Sequence, residues 1–381
     1  MFERPFWRAR IERSWRKAPI VWLSGVRRVG KTTLVRSFPD VLYLNCDLPS
    51  VQEQVRDIEL FYAQVRAGTL VLDEVHQLPD PSRLLKIGAD TRPKLRILAT
   101  GSSTLAATTK FKDTLTGRKR NIELVPVLWG ELEAFGASHS DRLLRGGLPP
   151  ALLAEEPDSS FYSEWVDSYF ARDIQELFRV EKRAGFLLLL QTLLRQSGGQ
   201  VELNHLARAC QLSRPTISTY LSALELTHAI RVLRPYHGGS SRELAHQPKI
   251  YGFDTGFVCH ARGWDSLRAE DHGLLWEHIV LETLIAASVP EVGYWRDKSQ
   301  QEIDFVIPRG RGVVDAVECK WSAGGFSAKG FAAFRKLHPK GNNYLVLPNA
   351  IERYARDHGG ATVEVIGLEQ FAASVGKASS G

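Results

Sequence analysis

The sequence predicts an α/β protein with more than one domain. Three short apolar runs, at residues 20–23, 69–72 and 95–100, have the composition of buried parallel strands. The first run leads into a glycine-rich loop and then into a helical pattern of apolar residues. The chain has 381 residues, which is more than a single hydrophobic core usually contains and is enough for two or three domains.

Composition limits the class of protein. The chain is 44% hydrophobic, which excludes a wholly disordered protein, and no apolar run approaches the ~18–20 residues that span a bilayer. The cysteines are scattered without a C-x-x-C pair, which argues against a disulfide framework or a zinc cluster. We therefore expect a cytoplasmic protein with no membrane partner.

Positive charge is concentrated at the N-terminal end. Residues 1–36 hold ten basic and two acidic residues, whereas the whole chain has a net charge of +6. A transit peptide is the minor interpretation, because this segment leads directly into the glycine-rich loop. We call the first part of this segment the basic arm. We expect one of two roles for it: a helix that is solvated or packs against another subunit, or a contact with the DNA backbone. The basic arm comprises Arg4, Arg8, Arg10, Arg13, Arg16 and Lys17.

The glycine-rich loop has the spacing of a phosphate-binding P-loop. Gly25 is followed by four residues and then by Gly30, Lys31 and Thr32, between a strand pattern and a helix pattern. Glycines allow backbone N–H groups to turn towards phosphate oxygens, Lys31 can reach the β- and γ-phosphates, and the Thr32 hydroxyl can bind Mg²⁺. The predicted ligands are ATP and Mg²⁺. The predicted nucleotide-binding residues are Gly25, Arg28, Gly30, Lys31, Thr32 and Thr33.

Two acids end the second apolar run. Asp73 and Glu74 would lie at the carboxyl end of a central parallel strand, where open α/β sheets bind their ligands. We expect Asp73 to hold the Mg²⁺ and Glu74 to polarise the attacking water, which makes both catalytic together with Lys31. The alternative is a pair of solvated turn residues.

Small hydroxyl side chains follow the third run. Ser102 is the preferred residue for orienting the water, and Thr100 and Ser103 are close alternatives. Further on, Arg118 lies in a basic stretch and could reach the γ-phosphate in a neighbouring subunit. A solvated loop or a DNA contact is an equal alternative for this stretch.

These motifs resemble an AAA-type ATPase, and specifically a bacterial and archaeal family with a C-terminal domain of unassigned function. The resemblance implies a homo-oligomeric ring, with a hexamer as one possible size, in which Arg118 or Arg172 acts across a subunit boundary. It places the ATPase core at residues 1–135 and a helical lid at 136–195. The segments that carry it beyond the P-loop are Val125–Leu132, Gly146–Pro149, Tyr169 and Arg172–Ile174.

In residues 196–255, helical spacing ends near Cys210, a short turn follows, and Ser213 with Pro215 forms a helix start. This pattern looks like a winged helix-turn-helix. Arg214, Thr216 and Thr219 would lie on the outer face of the second helix and could contact DNA, mainly its backbone. Because the surface is not strongly basic, a protein-packing role is the alternative.

Residues 256–381 carry a helix acid, Glu277, then a strand acid, Asp304, then Glu318 and Lys320 on the next strand. This order resembles that of a restriction-endonuclease-like α/β domain. Alternation along the strands places Glu318 and Lys320 on one face, near Asp304. The three carboxylates could bind Mg²⁺ or Mn²⁺, and Lys320 could position the attacking water. The same fold can also persist as a binding platform that does not cut.

The motifs support two functional hypotheses. The first is an ATP-hydrolysing, DNA-binding motor or switch, acting by translocation, unwinding or branch migration, with a possible Mg²⁺-dependent nuclease domain. The second is a nucleotide-dependent binding switch whose C-terminal domain is a non-catalytic docking module.

Overall fold

The computed structural model describes residues 2–101, 115–178, 180–238, 247–350, 352–358 and 361–377. It begins with helix α1 (Pro5–Trp15), followed by five strands: β1 (Ile20–Ser24), β2 (Val41–Asn45), β3 (Thr69–Asp73), β4 (Arg96–Thr100) and β5 (Lys119–Glu123). The strands form one sheet in the order β2-β3-β4-β1-β5, and every neighbouring pair is parallel.

Both faces of this first sheet are covered, which explains the continuous apolar runs. Val21 and Leu23 of β1 pack into one core together with Trp7 of α1, whereas Ile20 and Trp22 pack into the core on the other face. Parallel strands that are buried on both faces need apolar residues at successive positions. The α/β class with a parallel-sheet core is confirmed. Besides α1, the described residues of this part of the chain form helices α2 (Lys31–Arg36), α3 (Pro49–Gln54), α4 (Ile58–Gln64) and α5 (Pro81–Thr91).

A helical region, residues 136–195, follows the sheet and the short helix α6 (Leu132–Phe135). The side chain of Arg142 is completely buried and joins this region to the rest of the chain. Its guanidinium donates to Val127 O at 2.6 Å and to Thr255 Oγ1 at 3.0 Å, and it forms an ion pair with Glu282. The helices of the region are α7 (His139–Leu144), α8 (Pro149–Leu152), α9 (Ser160–Tyr169), α10 (Gln175–Phe178) and α11 (Arg183–Arg195), with a π-helical turn at Phe170–Ile174.

The described part of the middle region (residues 196–255), which is residues 196–238 and 247–255, contains two helices and three short strands. It contains β6 (Gly199–Gln200), α12 (Leu203–Ala209), α13 (Arg214–Leu226), β7 (Ile230–Pro235) and β8 (Lys249–Gly252). Ser213 caps α13, since its side chain accepts from the Thr216 N–H, as the sequence pattern predicts. Strand β8 pairs antiparallel with both β6 and β7.

The C-terminal region, residues 256–381, forms most of a second sheet. Its elements are α14 (Thr255–Arg262), α15 (Asp271–Ala286), β9 (Gly293–Arg296), β10 (Glu302–Gly310), β11 (Val313–Cys319), α16 (Lys329–Leu337), β12 (Asn343–Leu347), β13 (Tyr354–His358), β14 (Ala361–Gly367) and α17 (Leu368–Lys377). The order of the second sheet is β13-β14-β12-β11-β10-β9-β7-β8-β6.

The second sheet runs across the predicted boundary between residues 255 and 256. Strand β7 of the middle region pairs in parallel with β9 of the C-terminal region, and Arg234 lies opposite Gly293. The two regions therefore share backbone hydrogen bonds. None of the helices in the described part of the chain has the length and apolar character that crossing a bilayer requires.

Candidate functional site

The phosphate loop connects β1 to α2 at the carboxyl edge of the first sheet. Gly25 has a φ of 147°, and a Cβ added there would lie 2.4 Å from Leu124 O. Gly30 has a φ of 98° and precedes the first residue of α2. Both positions therefore require glycine, for its conformation and, at Gly25, also for space.

Lys31 is buried within the loop, at 7% relative exposure. Its Nζ donates to Gly25 O at 2.7 Å and to Val26 O at 3.1 Å, so the ammonium fills the concave side of the loop. Burial lowers the pKa of Lys31, and the nearby carboxylates of Glu74, Asp173 and Asp73 oppose that shift.

Asp73, at the end of β3, accepts three hydrogen bonds from side chains. Thr32 Oγ1 donates to its Oδ2 at 2.8 Å, Tyr43 OH donates to the same oxygen at 2.6 Å, and Thr100 Oγ1 donates to Oδ1 at 2.5 Å. The Thr32 hydroxyl and the Asp73 carboxylate are thus neighbouring hard oxygen donors. This chemistry fits Mg²⁺.

Tyr43 was not among the predicted residues. It lies on β2, the strand next to β3, and the Arg36 guanidinium lies 4.2 Å from the centre of its ring. Burial and the hydrogen bond to Asp73 raise the pKa of Tyr43 to about 12, so the phenol stays a donor at neutral pH. Its place near the end of a strand beside the acids is the only signal that the sequence offered.

Glu74 follows β3 in a left-handed backbone conformation, with a φ of 54°. Its N–H donates to Thr100 Oγ1 at 3.0 Å, and its Oε2 lies 3.4 Å from His76 Nδ1. The carboxylate is 30% exposed, which leaves it open to the space above the sheet edge.

The other predicted ATPase residues lie in different settings. Arg28 is exposed, with its guanidinium 5.4 Å from the centre of the Phe161 ring, and Thr33 is exposed on α2. Arg118 is paired with Asp90 of α5, its Nε donating at 2.6 Å, and Arg172 is exposed on the π-helical turn. Ser102 and its alternative Ser103 lie outside the described residues, whereas Thr100 contacts Asp73.

Distant parts of the chain hold the backbone of the phosphate loop. Arg4, from the basic arm, is 7% exposed, forms a 2.6 Å ion pair with Glu131, and donates to Val29 O at 3.3 Å. Trp165 Nε1, from the helical region, donates to Arg27 O at 3.0 Å. The basic arm is thus not uniformly solvated, because Arg4 is a buried structural cation at the loop.

Two further ion pairs join the loop and its sheet to other regions. Arg27 Nη1 lies 3.5 Å from Asp173 Oδ2, on the π-helical turn. Glu123, at the end of β5, pairs with Arg231 of β7. Burial would raise the pKa of Glu123, but Arg231 and His228 outweigh this effect and lower the pKa to about 2.

The predicted DNA-contacting residues lie at the start of α13. Arg214 and Thr219 are exposed and Thr216 is partly exposed. Thr219 Oγ1 donates to Pro215 O at 3.1 Å, and the Thr216 and Ser213 hydroxyl oxygens are 2.7 Å apart. Of the three, Arg214 presents a charge to solvent.

In the C-terminal region, the structure brings Asp304, Glu318 and Lys320 together. Phe305 lies opposite Val317 across β10 and β11, which places the two acids on neighbouring strands. The Cys319 N–H donates to Asp304 Oδ2 at 2.8 Å, and Lys320 Nζ lies 3.2 Å from Glu318 Oε2.

Electrostatics show that Glu277 belongs to the same cluster. Burial, followed by the charge of Asp304, raises the pKa of Glu277 to about 8 and raises the pKa of Glu318 well above its usual value. Burial would lower the pKa of Lys320, but the negative charges of Asp304 and Glu318 outweigh this effect and raise it.

Two residues of the cluster, Lys249 and Tyr251, were not predicted from the sequence. Both lie on β8 of the middle region; Lys249 forms an ion pair with Glu302, and Tyr251 OH donates to Glu277 Oε2 at 2.9 Å. Across the described residues, no three His, Cys, Asp or Glu side chains form a group placed to hold a metal ion. The predicted ligands Glu277, Asp304 and Glu318 lie in one cluster, and a protein donor contacts one oxygen of each carboxylate.

Family models match three consecutive segments. Residues 17–133 match the AAA domain, residues 137–268 match a domain of unknown function (DUF8612), and residues 272–371 match another domain of unknown function (DUF4143). Together with the parallel sheet and the phosphate loop, the first match defines an AAA-type P-loop ATPase domain.

Two curated mycobacterial proteins resemble most of the chain. The uncharacterized proteins Rv2008c of Mycobacterium tuberculosis and Mb2031c of Mycobacterium bovis are each 32% identical to it over 316 residues. The match covers 78% of this chain and 70% of each relative. The chain belongs to the same family as these two proteins.

Two solved structures are similar to parts of the chain at low sequence identity. The Walker-type ATPase PABY2304 of Pyrococcus abyssi is 15% identical with a TM-score of 0.45, covering 69% of this chain and 96% of that one. A RuvB variant of Thermotoga maritima is 16% identical with a TM-score of 0.33, covering 70% and 96%.

The low pKa of Glu123 predicts a pH-dependent contribution to stability. Because the folded-state pKa is about 2 against a usual 4.5, the contribution is complete above pH 4.5 and is lost as the pH falls towards 2. In urea unfolding from pH 7 to pH 3, the stability difference between the parent and Glu123→Gln should narrow, by up to about 2 kcal/mol. A difference that stays constant with pH would contradict this assignment.

Proposed function

We propose that this protein is an ATP-hydrolysing AAA-type switch or motor that acts on DNA. The observation that carries the ATPase part is the pairing of Thr32 with Asp73 beside the buried Lys31, at the carboxyl edge of a parallel sheet. This edge is where open α/β sheets bind ligands. The AAA match over residues 17–133 supports the same assignment.

The roles of the residues follow from their positions. When bound, ATP with Mg²⁺ supplies the reactive γ-phosphoryl group and a cation that offsets its charge. Lys31 neutralises phosphate charge, Thr32 and Asp73 offer oxygen ligands, and Tyr43 and Thr100 hold the Asp73 carboxylate by donating to it. Glu74 accepts a proton from the attacking water.

Replacing Lys31 or Glu74 should separate binding from turnover. Lys31→Ala should abolish ATP hydrolysis, because the phosphate charge loses its partner. Glu74→Gln should retain bound ATP while turnover falls at least ~100-fold, the effect of losing a general base. Phosphate release from the full chain measures the turnover of both variants.

Glu59→Gln on α4 is a matched control, because Glu59 is exposed and lies outside the site. Its rate should equal that of the parent. Unchanged hydrolysis in both Lys31→Ala and Glu74→Gln would contradict the ATPase assignment.

The helical region is proposed as the lid of this ATPase, in a homo-oligomeric ring. Its support is contact with the loop through Trp165 and Asp173. Arg118 and Arg172 remain the candidates for a residue that acts across a subunit boundary. Arg172 is exposed, whereas Arg118 already has Asp90 as a partner within its own chain. A monomeric mass in the presence of nucleotide would contradict the ring.

DNA is the proposed partner of the middle region, with α12, α13, β7 and β8 in the order of a winged helix. The support is the capped start of α13 with Arg214 exposed there. A basic side chain at the start of a recognition helix can neutralise backbone phosphate.

Arg214 should contribute one phosphate contact. The parent should bind duplex DNA with a steep salt dependence, and Arg214→Ala should weaken binding and reduce the salt slope by about one. Arg268→Ala removes another exposed arginine, one outside the middle region, and should leave binding unchanged. Fluorescence anisotropy against salt concentration measures this, and little DNA binding by the parent at physiological salt would instead support a protein-docking switch.

For the C-terminal region, the order α15-β9-β10-β11-α16-β12 supports the restriction-endonuclease-like resemblance. The partners of its carboxylates favour the docking module over the nuclease. Tyr251 donates to Glu277, the Cys319 N–H donates to Asp304, and Lys320 pairs with Glu318. The first contact joins β8 to α15, and the second joins β10 to β11.

A cleavage assay distinguishes the docking module from the nuclease. The full chain, incubated with Mn²⁺ or Mg²⁺ and with single-stranded, duplex and branched DNA, should leave every substrate intact, as should Asp304→Ala and Lys320→Ala. Cleavage by the parent that both variants lose would contradict the docking module and establish the nuclease.

A further inference from the structure

The turn between α13 and β7 reaches the base of the phosphate loop. Thr227 and His228 form this turn and are almost completely buried, at 1% and 4% exposure. His228 has a φ of 63°, an uncommon conformation for a residue with a side chain. The turn joins directly onto the C-terminal end of α13, so it connects the middle region to the ATPase site.

The His228 ring contacts two residues at the carboxyl edge of the first sheet. Its Nε2 lies 3.1 Å from Ser24 Oγ, and its Nδ1 lies 3.2 Å from Glu123 Oε2. Ser24 and Glu123 lie opposite each other across β1 and β5. Ser24 is the last residue of β1 and immediately precedes Gly25, so His228 contacts the residue from which the phosphate loop begins.

The partner of each ring nitrogen assigns its role. Arg231 Nη1 lies 3.1 Å from Nδ1 and can only donate, so Nδ1 accepts from it and Nε2–H donates to the Ser24 hydroxyl oxygen. Arg231 pairs with Glu123 and holds this carboxylate in place. The ring thus has one fixed orientation, in which Nε2 anchors Ser24.

We propose that His228 is a positioning residue for nucleotide binding, which holds the start of the phosphate loop through Ser24. The inference rests on the proposed nucleotide-binding function and extends it, because it makes nucleotide affinity depend on a residue of the middle region. The loop presents backbone N–H groups, whose alignment determines how well they bind phosphate. Without His228, the Ser24 hydroxyl would keep a long contact of 3.5 Å with Ile122 O, and its end of the loop would be less constrained.

The test is a double-variant cycle in the full chain, with fluorescent N-methylanthraniloyl-ADP as the probe. His228→Ala and Ser24→Ala should each weaken its binding about tenfold, the effect of losing one buried hydrogen bond. Because both changes remove the same contact, the double variant should bind no more weakly than either single variant.

Conservative replacements test which ring nitrogen matters. The side-chain nitrogen of Gln can take the place of Nε2, so His228→Gln should retain most of the affinity. The nitrogen of Asn corresponds to Nδ1, so His228→Asn should bind as weakly as His228→Ala. A purely structural role for the ring would not produce this order.

The chain contains a matched control pair. His278 Nε2 lies 2.8 Å from Ser197 Oγ, and both residues are buried, on α15 and in the turn after α11. His278→Ala should lower the urea midpoint about as much as His228→Ala does, yet leave the affinity for the probe unchanged.

The outcomes separate this inference from the proposed function. If the parent binds no probe, the nucleotide-binding function fails and this inference fails with it. If the parent binds and His228→Ala binds equally well, or if the Ser24 and His228 effects simply add, only the positioning role is overturned. An equal loss of affinity in His278→Ala would also overturn it, because the effect would then reflect general destabilisation.

Discussion

The rest of the structure depends on how the carbonyl groups of the phosphate loop are bonded. Lys31 donates to Gly25 O and Val26 O, Trp165 to Arg27 O, and Arg4 to Val29 O. Buried backbone groups need partners, and a loop whose carbonyls are bonded to the protein can turn its N–H groups towards an anion. The donors come from the helix that follows the loop, from the helical region and from the basic arm.

This arrangement joins the ATPase core to the later regions of the chain. The helical region contacts the loop through Trp165 and Asp173, and the middle region contacts its start through His228. The middle region in turn shares one sheet with the C-terminal region through β7 and β9. A change in the loop on nucleotide binding therefore has direct contacts through which to affect the helical and middle regions.

Local patterns in the sequence predicted the features that short segments determine. Buried strands, the glycine spacing, the acid at the end of β3 and the capped start of α13 depend on neighbouring residues. Tyr43, Arg4 and His228 could not be found in this way, since the partners that give them their roles lie 25 to 204 positions away in the sequence. These partners are Asp73, Val29 and Ser24. Likewise, strand alternation predicted that Glu318 and Lys320 lie near Asp304, but only the pairing of whole strands places Lys249 of β8 beside Glu302.

Hydrogen exchange of the full chain, with and without ADP and Mg²⁺, tests the central claim that nucleotide binding affects residues beyond the loop. The account predicts slower exchange in residues 24–31 and also in residues 227–231, while the remote helix α16 is unchanged. Protection confined to the loop and the end of β3, with residues 227–231 exchanging at the same rate in both conditions, would contradict it.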